Sequence, residues 1–540
     1  MPQRIAIVGT GPTGIYTLKA LADLGLARAV TLFEGGPQAG RGMPYAPGQN
    51  TPEMLANIGS IEIPPLGQSY LDWLEGAGAG RLADYGLGPE VVDERAFLPR
   101  LLLGDWFADE LAGLVQATGA RVLTGAEVVD VKPGAGEVRL VWRQDGALHE
   151  AEFDRVVLAT GHVWPEQDQA AVGRFTSPWP AMALGDVGAE TVGILGSSLS
   201  AIDAALALAC AQGRFERVKG ELDYIGDPGS EGLRMVMLSR NGLLPEADFW
   251  CPLPYEPLVV CTDEALAKAR GLGSKGLLDR VFALMKAEIT LADPGFAARR
   301  YLGKARVEDF PALVFGRRKK MDAFDWAEAN LAETLANHKA QKVVGWRYAI
   351  LRLHEEVGAL LPAMTAADRT RFERFLKPVF TDNYAAVPPL SIERLLALHR
   401  AGRLRVLAMG ENYRLRPASS GVTLACKAGR FRFSVFVDAR GQGKRGQGQW
   451  PFPTMRAMLG RGAGPMDLDG AFRPKGMGRV HVLALPWLLE RNPFVQGIGA
   501  SRDLAARVAA AVAVENAMIP AEGPGSLGLW AKQRAGSRWA

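Results

Sequence analysis

Arg4-Ile5-Ala6-Ile7-Val8-Gly9-Thr10-Gly11-Pro12-Thr13-Gly14, with Ile15, Leu18, Leu21 and Ala22 after it, is the stretch that decides the fold. Residues 5–8 have the branching and length of a buried strand. The later apolar residues recur at helical spacing, and Gly-x-Gly-x-x-Gly stands between the two. Gly9 permits the tight turn, Gly11 admits a pyrophosphate to the backbone, and Gly14 lets the helix lie close to the strand. Pro12 and Thr13 open a helix whose N-terminus faces the phosphates. The next strand, 29–33, ends at Glu34, a carboxylate placed to accept hydrogen bonds from a ribose diol.

A second turn of the same kind follows strand 191–195: Gly196-Ser197-Ser198-Leu199-Ser200-Ala201, leading into a helix over 202–210. Ser198 and Ala201 replace the second and third glycines and are small enough to keep the backbone approach and the close helix contact. The following strand, 234–238, ends in Ser239-Arg240 with no acid. A hydroxyl beside a guanidinium suits a 2'-phosphate, which points to NADPH over NADH. The stretch 212–232 is longer than a usual crossover. Two dinucleotide turns in one chain read most simply as a flavoprotein that takes hydride from a nicotinamide.

At 540 residues the chain is long enough for two or three domains, and 48% hydrophobic with 22% charged residues is ordinary for a globular protein. Net charge is +4 with the cations scattered, so nucleic-acid binding is not expected. The run Arg317-Arg318-Lys319-Lys320 reads as a solvated helix face. Strand one begins almost at once and no apolar run is long enough to span a bilayer, so a cytoplasmic protein without a membrane partner is expected. The four cysteines, Cys210, Cys251, Cys261 and Cys426, form no C-x-x-C pair, and the six histidines show no metal-ligand spacing, so neither a redox disulfide nor a metal is expected.

The expected class is α/β, with two dinucleotide-binding (Rossmann-like) domains, the FAD domain discontinuous, and a mainly helical insertion. The first domain runs over 1–165, through strands at 122–124 and 127–131, and closes at strand 155–158 and the turn Ala159-Thr160-Gly161. The NADPH domain is expected over 166–261 and the helical insertion over 262–403, where helix-period segments such as 323–336 and 368–376 dominate. Strands return at 404–408, 413–416, 422–427 and 432–437, and the last ends in Asp438-Ala439-Arg440-Gly441-Gln442. This turn mirrors Ala159-Thr160-Gly161, as expected if the chain comes back to the FAD domain, 404–520. Gln496-Gly497-Ile498-Gly499 precedes a helix over 503–518, and the tail 521–540 is rich in Gly and Ser.

With these pieces assembled, the chain resembles the FAD/NAD(P)-binding flavoproteins related to class B flavin monooxygenases, a group that includes amino-acid N-hydroxylating enzymes such as aspartate N-monooxygenase. The matching segments are GTGPTGIYTLKAL, GRGMPYAP, MLANIGS, YLDWL, RAFLPRLLLGDW, LATGHVWP, SPWPA, GILGSSLSAID, LSRNGLLP, VDARGQG and NPFVQGIGASRDLA, which cover most of the chain outside the insertion. The resemblance implies FAD contacts at Gly9, Gly11, Gly14, Glu34, Arg41 and Arg100, with Val128 as a backbone partner for adenine. It implies nicotinamide-coenzyme contacts at Gly196, Ser198, Ser200, Ala201 and Arg240. Pro12, Thr13, Asn57, Thr160, Gly161, Ser197, Ser239, Gly441, Gln442 and Gly499 complete the cofactor candidates. One departure matters. The connector reads Arg174-Phe175-Thr176-Ser177-Pro178-Trp179-Pro180 and lacks the histidine of Baeyer-Villiger enzymes, which puts ketone oxygenation in doubt.

The resemblance and the two turns together imply hydride transfer from NADPH to FAD, O2 activation as the C4a-hydroperoxide, and hydroxylation of a small nucleophile, foremost an amine nitrogen of an amino acid or related metabolite. A substrate carboxylate would need cationic anchors. Arg299, Arg300 and Lys304 in the insertion are the candidates, and solvated helix charges are the competing reading. A flavin reductase or oxidase without substrate oxygenation, and a nucleotide-binding redox sensor without turnover, stay open as alternatives.

Overall fold

The computed structural model describes residues 2–76, 78–165, 172–441, 443, 445–460, 462, 464–489, 492–495 and 497–518. The chain divides into two units. One comprises Met1–Pro52, Ile58–Val163 and Gln442–Ala540, and the other Glu53–Asn57 and Trp164–Gly441.

In the first unit Ile5–Val8, buried at every position, is the middle strand of a five-stranded parallel sheet. Its order is Val480–Val482, Arg155–Leu158, Ile5–Val8, Val30–Phe33, Arg121–Leu123. Runs such as Ile-Ala-Ile-Val and Arg-Val-Val-Leu show no polar alternation because both faces of such a sheet are covered. The helix Pro12–Asp23 packs on Ile498–Met518 and on Arg100–Thr118. A three-stranded antiparallel sheet, Glu127–Pro133, Val138–Gln144 and Ala147–Phe153, adds its inner residues to the core. There the Phe33 ring meets Trp142 at 5.1 Å and Phe153 at 5.8 Å between centroids.

The second unit repeats the plan. Its parallel sheet has the order Leu404–Ala408, Arg234–Ser239, Thr191–Leu195, Val435–Asp438, Arg174–Phe175. The long stretch 212–232 folds as a hairpin, Gly213–Val218 with Glu221–Gly226. The helical segment then runs from Asp263–Gly271 to Pro389–Arg400 and delivers the chain to Leu404–Ala408. It is therefore an enlarged crossover between two neighbouring strands of one sheet, and its last helix does the work of an ordinary crossover helix.

This arrangement differs from the sequence expectation at one boundary. Strands 404–408 and 435–438 do not return to the FAD fold. They pair with Met235–Ser239 and Val192–Leu195, and the chain rejoins the first unit only after Gly441. An apolar parallel strand carries no mark of which sheet it enters, so the boundary could not be read from its composition. A smaller difference concerns the C-terminal helix, which begins at Ile498 and not near 503, so that Gly499 lies in its first turn. Gly497, at φ +116°, ends the preceding loop. No helix among the described residues is long and apolar enough to cross a membrane.

Candidate functional sites at the two glycine turns

In the first unit Gly9 has φ +104°, and a Cβ there would collide with the carbonyl oxygen of Ala159. A Cβ at Gly14 would likewise meet the carbonyl oxygen of Gly9. These two glycines are required by the backbone itself. Gly11 differs. Its φ of −71° suits any residue, and a Cβ would lie 3.3 Å from the Cα of Gly42, so its bareness fits a ligand's need for backbone approach. Gly11 is the N-cap of Pro12–Asp23 and no side chain caps that helix end, which leaves amide donors for an anion. Thr13, in the first turn, shares a 3.0 Å hydroxyl contact with Ser501, so the C-terminal helix fixes the helix that would face the phosphates.

Glu34 stands at the end of its strand as expected, and its carboxylate ties two loops. It accepts from the Thr10 hydroxyl and, at 2.9 Å, from the Gly36 amide. Thr10 in turn accepts from the Gly40 amide at 3.1 Å. Arg41 is paired with Asp105 at 2.6 Å. Arg100 is buried at the start of its helix, near Tyr45, whose phenol is pushed up to about 12 by desolvation against the pull of that guanidinium. Val128 lies opposite Trp142 beside a bulge that separates it from Asp130. The Thr160 hydroxyl is buried without a protein partner, and Gly161 follows at φ +66°. Asn57 is exposed and belongs with the second unit.

The second turn reproduces the first in its backbone. The Gly9 amide donates to Phe33 O and the Gly196 amide to Leu238 O, both at 2.8 Å. The Ala159 amide donates to Val8 O at 2.8 Å and the Ala439 amide to Leu195 O at 3.0 Å. Gly196 has φ +131°, and a Cβ there would lie 2.9 Å from Ala439 O, as one at Gly9 would meet Ala159 O. Ala159-Thr160-Gly161 and Ala439-Arg440-Gly441 are thus equivalent turns, each closing its own sheet.

Ser198 caps Leu199–Cys210 by position, again without a side-chain hydrogen bond, and Ala201 is buried where the third glycine would stand. Ser200 is half-buried in the helix's first turn. Ser197 donates to Leu243 O at 2.6 Å. Ser239 accepts from the Gly242 amide at 3.1 Å, which leaves its own O–H to donate, and Arg240 is exposed beside it. Gly441 is exposed, and Gln442 lies outside the described residues, as does the tail 521–540.

Of the three anchor candidates, Arg299 and Lys304 are exposed and Arg300 is half-buried, and none joins an ion pair among the described residues. The buried charges of the helical segment are others. Arg318, read from sequence as part of a solvated face, is only 3% exposed. It grips Asp382 with contacts of 2.7 and 2.9 Å, donates to Leu244 O, and lies 3.8 Å from Glu246. Arg347 completes the cluster at 2.9 Å from Glu246. Burial alone would raise the Glu246 carboxyl, but Arg347 and Arg318 hold it below the ordinary range. Sequence reasoning missed this cluster because partners scattered over more than a hundred residues carry no local signature.

Comparison with known proteins agrees with this architecture. A family model described as FAD-NAD(P)-binding matches residues 6–163, and one described as YdhS-like middle domain matches residues 262–384. The chain is 43% identical over 521 residues to the uncharacterized protein YdhS of Escherichia coli (strain K12), covering 94% of this chain and 97% of that one. Among solved structures it is similar to the ornithine hydroxylase of Pseudomonas aeruginosa, with a TM-score of 0.52 and 14% identity over 95% of this chain and 99% of the other. The ornithine N-hydroxylase of Kutzneria sp. 744, solved with reduced FAD, NADP+ and L-ornithine, gives a TM-score of 0.52 and 13% identity over 96% and 100%. At such identities the likeness is one of fold. The first unit is an FAD/NAD(P)-binding domain, and its residues fit the group: a glycine cradle, an uncapped helix end, a carboxylate at the strand end and an unpartnered buried hydroxyl at Thr160.

Proposed function

The chain belongs to the YdhS family, and from that premise we propose that it is an NADPH-dependent FAD monooxygenase that hydroxylates an amine nitrogen of an amino acid or related metabolite. The observation that carries this reading is the pair of backbone-equivalent turns, one ending its neighbouring strand in a carboxylate and the other in a hydroxyl and a guanidinium. A carboxylate favours a ribose diol and repels a 2'-phosphate, whereas Ser239 and Arg240 favour the phosphate. The two turns are thereby suited to different nucleotides, FAD at the first and NADPH at the second.

The flavin, when bound, supplies the electron transfer and oxygen chemistry. The chain's residues hold and orient. The amides of Thr13 and Gly14 would hold the pyrophosphate, Glu34, whose rotamer Thr10 and Gly36 fix, would take the ribose hydroxyls, and Arg100 would add a buried cation. The whole-length likeness of fold to two ornithine hydroxylases supports an amine as substrate. The absence of any C-x-x-C pair speaks against a dithiol relay. Arg299, Arg300 and Lys304 are the candidates for anchoring a substrate carboxylate, with solvated helix charges as the competing reading.

The test is NADPH consumption, peroxide release and product formation by purified protein over an amino-acid and amine panel. Monooxygenation requires a substrate that raises NADPH consumption and gives hydroxylated product without equivalent peroxide. Turnover that always returns peroxide, or that needs an added acceptor, makes the protein an oxidase or reductase. Alanine variants at the three anchor positions are expected to keep FAD and NADPH oxidation while losing coupled product, and normal coupling in all three removes the anchor assignment.

A further inference from the structure

The placement of strand 435–438 in the second sheet gives the turn after it a new neighbourhood. Along that sheet the chain moves outward from 191–195 to 234–239 and 404–408, then crosses to the other side at 435–438. The topological switch point therefore lies between Thr191–Leu195 and Val435–Asp438, and ligands of such sheets bind in the crevice outside the carboxyl ends of the two strands at that point. Gly196 and Ala439 meet there, as shown by the 2.9 Å separation a Cβ at Gly196 would have from Ala439 O. The next residue is Arg440.

We propose that Arg440 is a second cation of the NAD(P)H site, holding the phosphate on the nicotinamide side of the dinucleotide, while Arg240 serves the adenosine side. The proposal rests on the reading of the second unit as the coenzyme fold. The two arginines follow the two strands that flank 191–195 in the sheet, 234–239 on one side and 435–438 on the other, so a dinucleotide lying across the turn passes from one to the other.

Arg440 is also held ready. Its Nε donates to Asp438 Oδ1 at 2.9 Å and its Nη2 to Asp438 Oδ2 at 2.6 Å, with a further contact from Tyr413. A guanidinium has five N–H donors in a fixed fork, so this brace sets its plane and leaves donors to spare. The equivalent position of the first sheet is Thr160, whose buried hydroxyl has no protein partner. At the same place in each sheet the chain thus presents a donor that its own fold does not exhaust.

The experiment uses the FAD-loaded protein and measures dissociation constants of NADP+, NAD+ and 2',5'-ADP by fluorescence titration. The last probe carries the adenosine and its 2'-phosphate but no nicotinamide-side phosphate. Arg440→Ala is expected to weaken NADP+ and NAD+ alike, by on the order of tenfold to a hundredfold, and to leave 2',5'-ADP within about twofold. Arg240→Ala is expected to weaken NADP+ and 2',5'-ADP and to spare NAD+. Arg440→Lys keeps the charge without the fork and should fall between, which preserves the test if the alanine variant does not fold. Unchanged dinucleotide affinity in Arg440→Ala, or equal loss of all three probes, overturns the assignment. If unaltered protein binds none of the three, the coenzyme reading of the second unit fails, and the role of Arg440 with it.

Discussion

His481 shows how a single side chain can set the pH response of the first unit. It is fully buried on the edge strand, its Nδ1–H donates to Ala471 O at 2.8 Å, and its Nε2 has no protein partner. Burial depresses its pKa to about 4, the Ala471 bond opposes this, and Arg155 and Arg473 add to the depression. The unfolded chain takes up a proton near pH 6.5 that the folded chain refuses until about pH 4. Stability is therefore complete above pH 6.5 and falls as the pH drops through that window, by about 3 kcal/mol at its lower end. His481→Asn keeps an amide donor for Ala471 and removes the titration. Urea unfolding at pH 7 and pH 4.5 is expected to show a smaller acid loss in the variant, and equal losses in both proteins assign the response to other groups. Legibility at this scale follows locality. The place of Glu34 at a strand end was readable because it depends on distance along the chain from a glycine turn. Thr10, which orients it, and Ser501, which meets Thr13 from a helix 488 residues away, were not.

Elements were legible where one pattern sufficed. Strands 191–195 and 404–408 and the helices around both glycine turns follow from apolar runs and small-residue turns, and they occupy the expected residues within a few positions. What failed was assignment to a sheet, because strand pairing is decided by long-range register and not by composition. The buried ion cluster of the helical crossover has the same character. Residues 244–248, just beyond Ser239-Arg240, are held by Arg318 at Leu244 O, by Trp326 at Glu246, by Asn330 at the Ala247 amide and by Val387 at the Asp248 amide. Two arginines and two carboxylates balance in charge there, so loss of one partner leaves an uncompensated buried charge. Arg318→Met is expected to cost about 3–5 kcal/mol in chemical unfolding, with Arg318→Lys losing less because it keeps the charge beside Asp382 but not the Nη2 donor to Leu244 O. A loss below about 1 kcal/mol for the methionine variant would show that the cluster behaves as a surface pair.

For the molecule as a whole, each nucleotide fold draws its strands, its glycine turn and its closing Ala-x-Gly turn from within its own unit. In the first, the Gly9 and Ala159 amides are answered by Phe33 and Val8; in the second, those of Gly196 and Ala439 by Leu238 and Leu195. Two modules built this way should lose their ligands separately. Gly11 is the residue with which to ask, because its ordinary φ suits a side chain and a Cβ there would press on one backbone neighbour, the Cα of Gly42 at 3.3 Å, which must give by a few tenths of an ångström. Gly11→Val would place a branched side chain where a pyrophosphate must approach the backbone. The variant is expected to purify folded and without FAD while binding 2',5'-ADP within about threefold of the unaltered protein, a change of under 1 kcal/mol. Arg240→Ala is expected to do the reverse, keeping one FAD per chain while losing 2',5'-ADP. Retention of full flavin by Gly11→Val would reduce the first turn to a structural feature, and loss of both ligands from a folded Gly11→Val protein would mean that the second site depends on the first being filled.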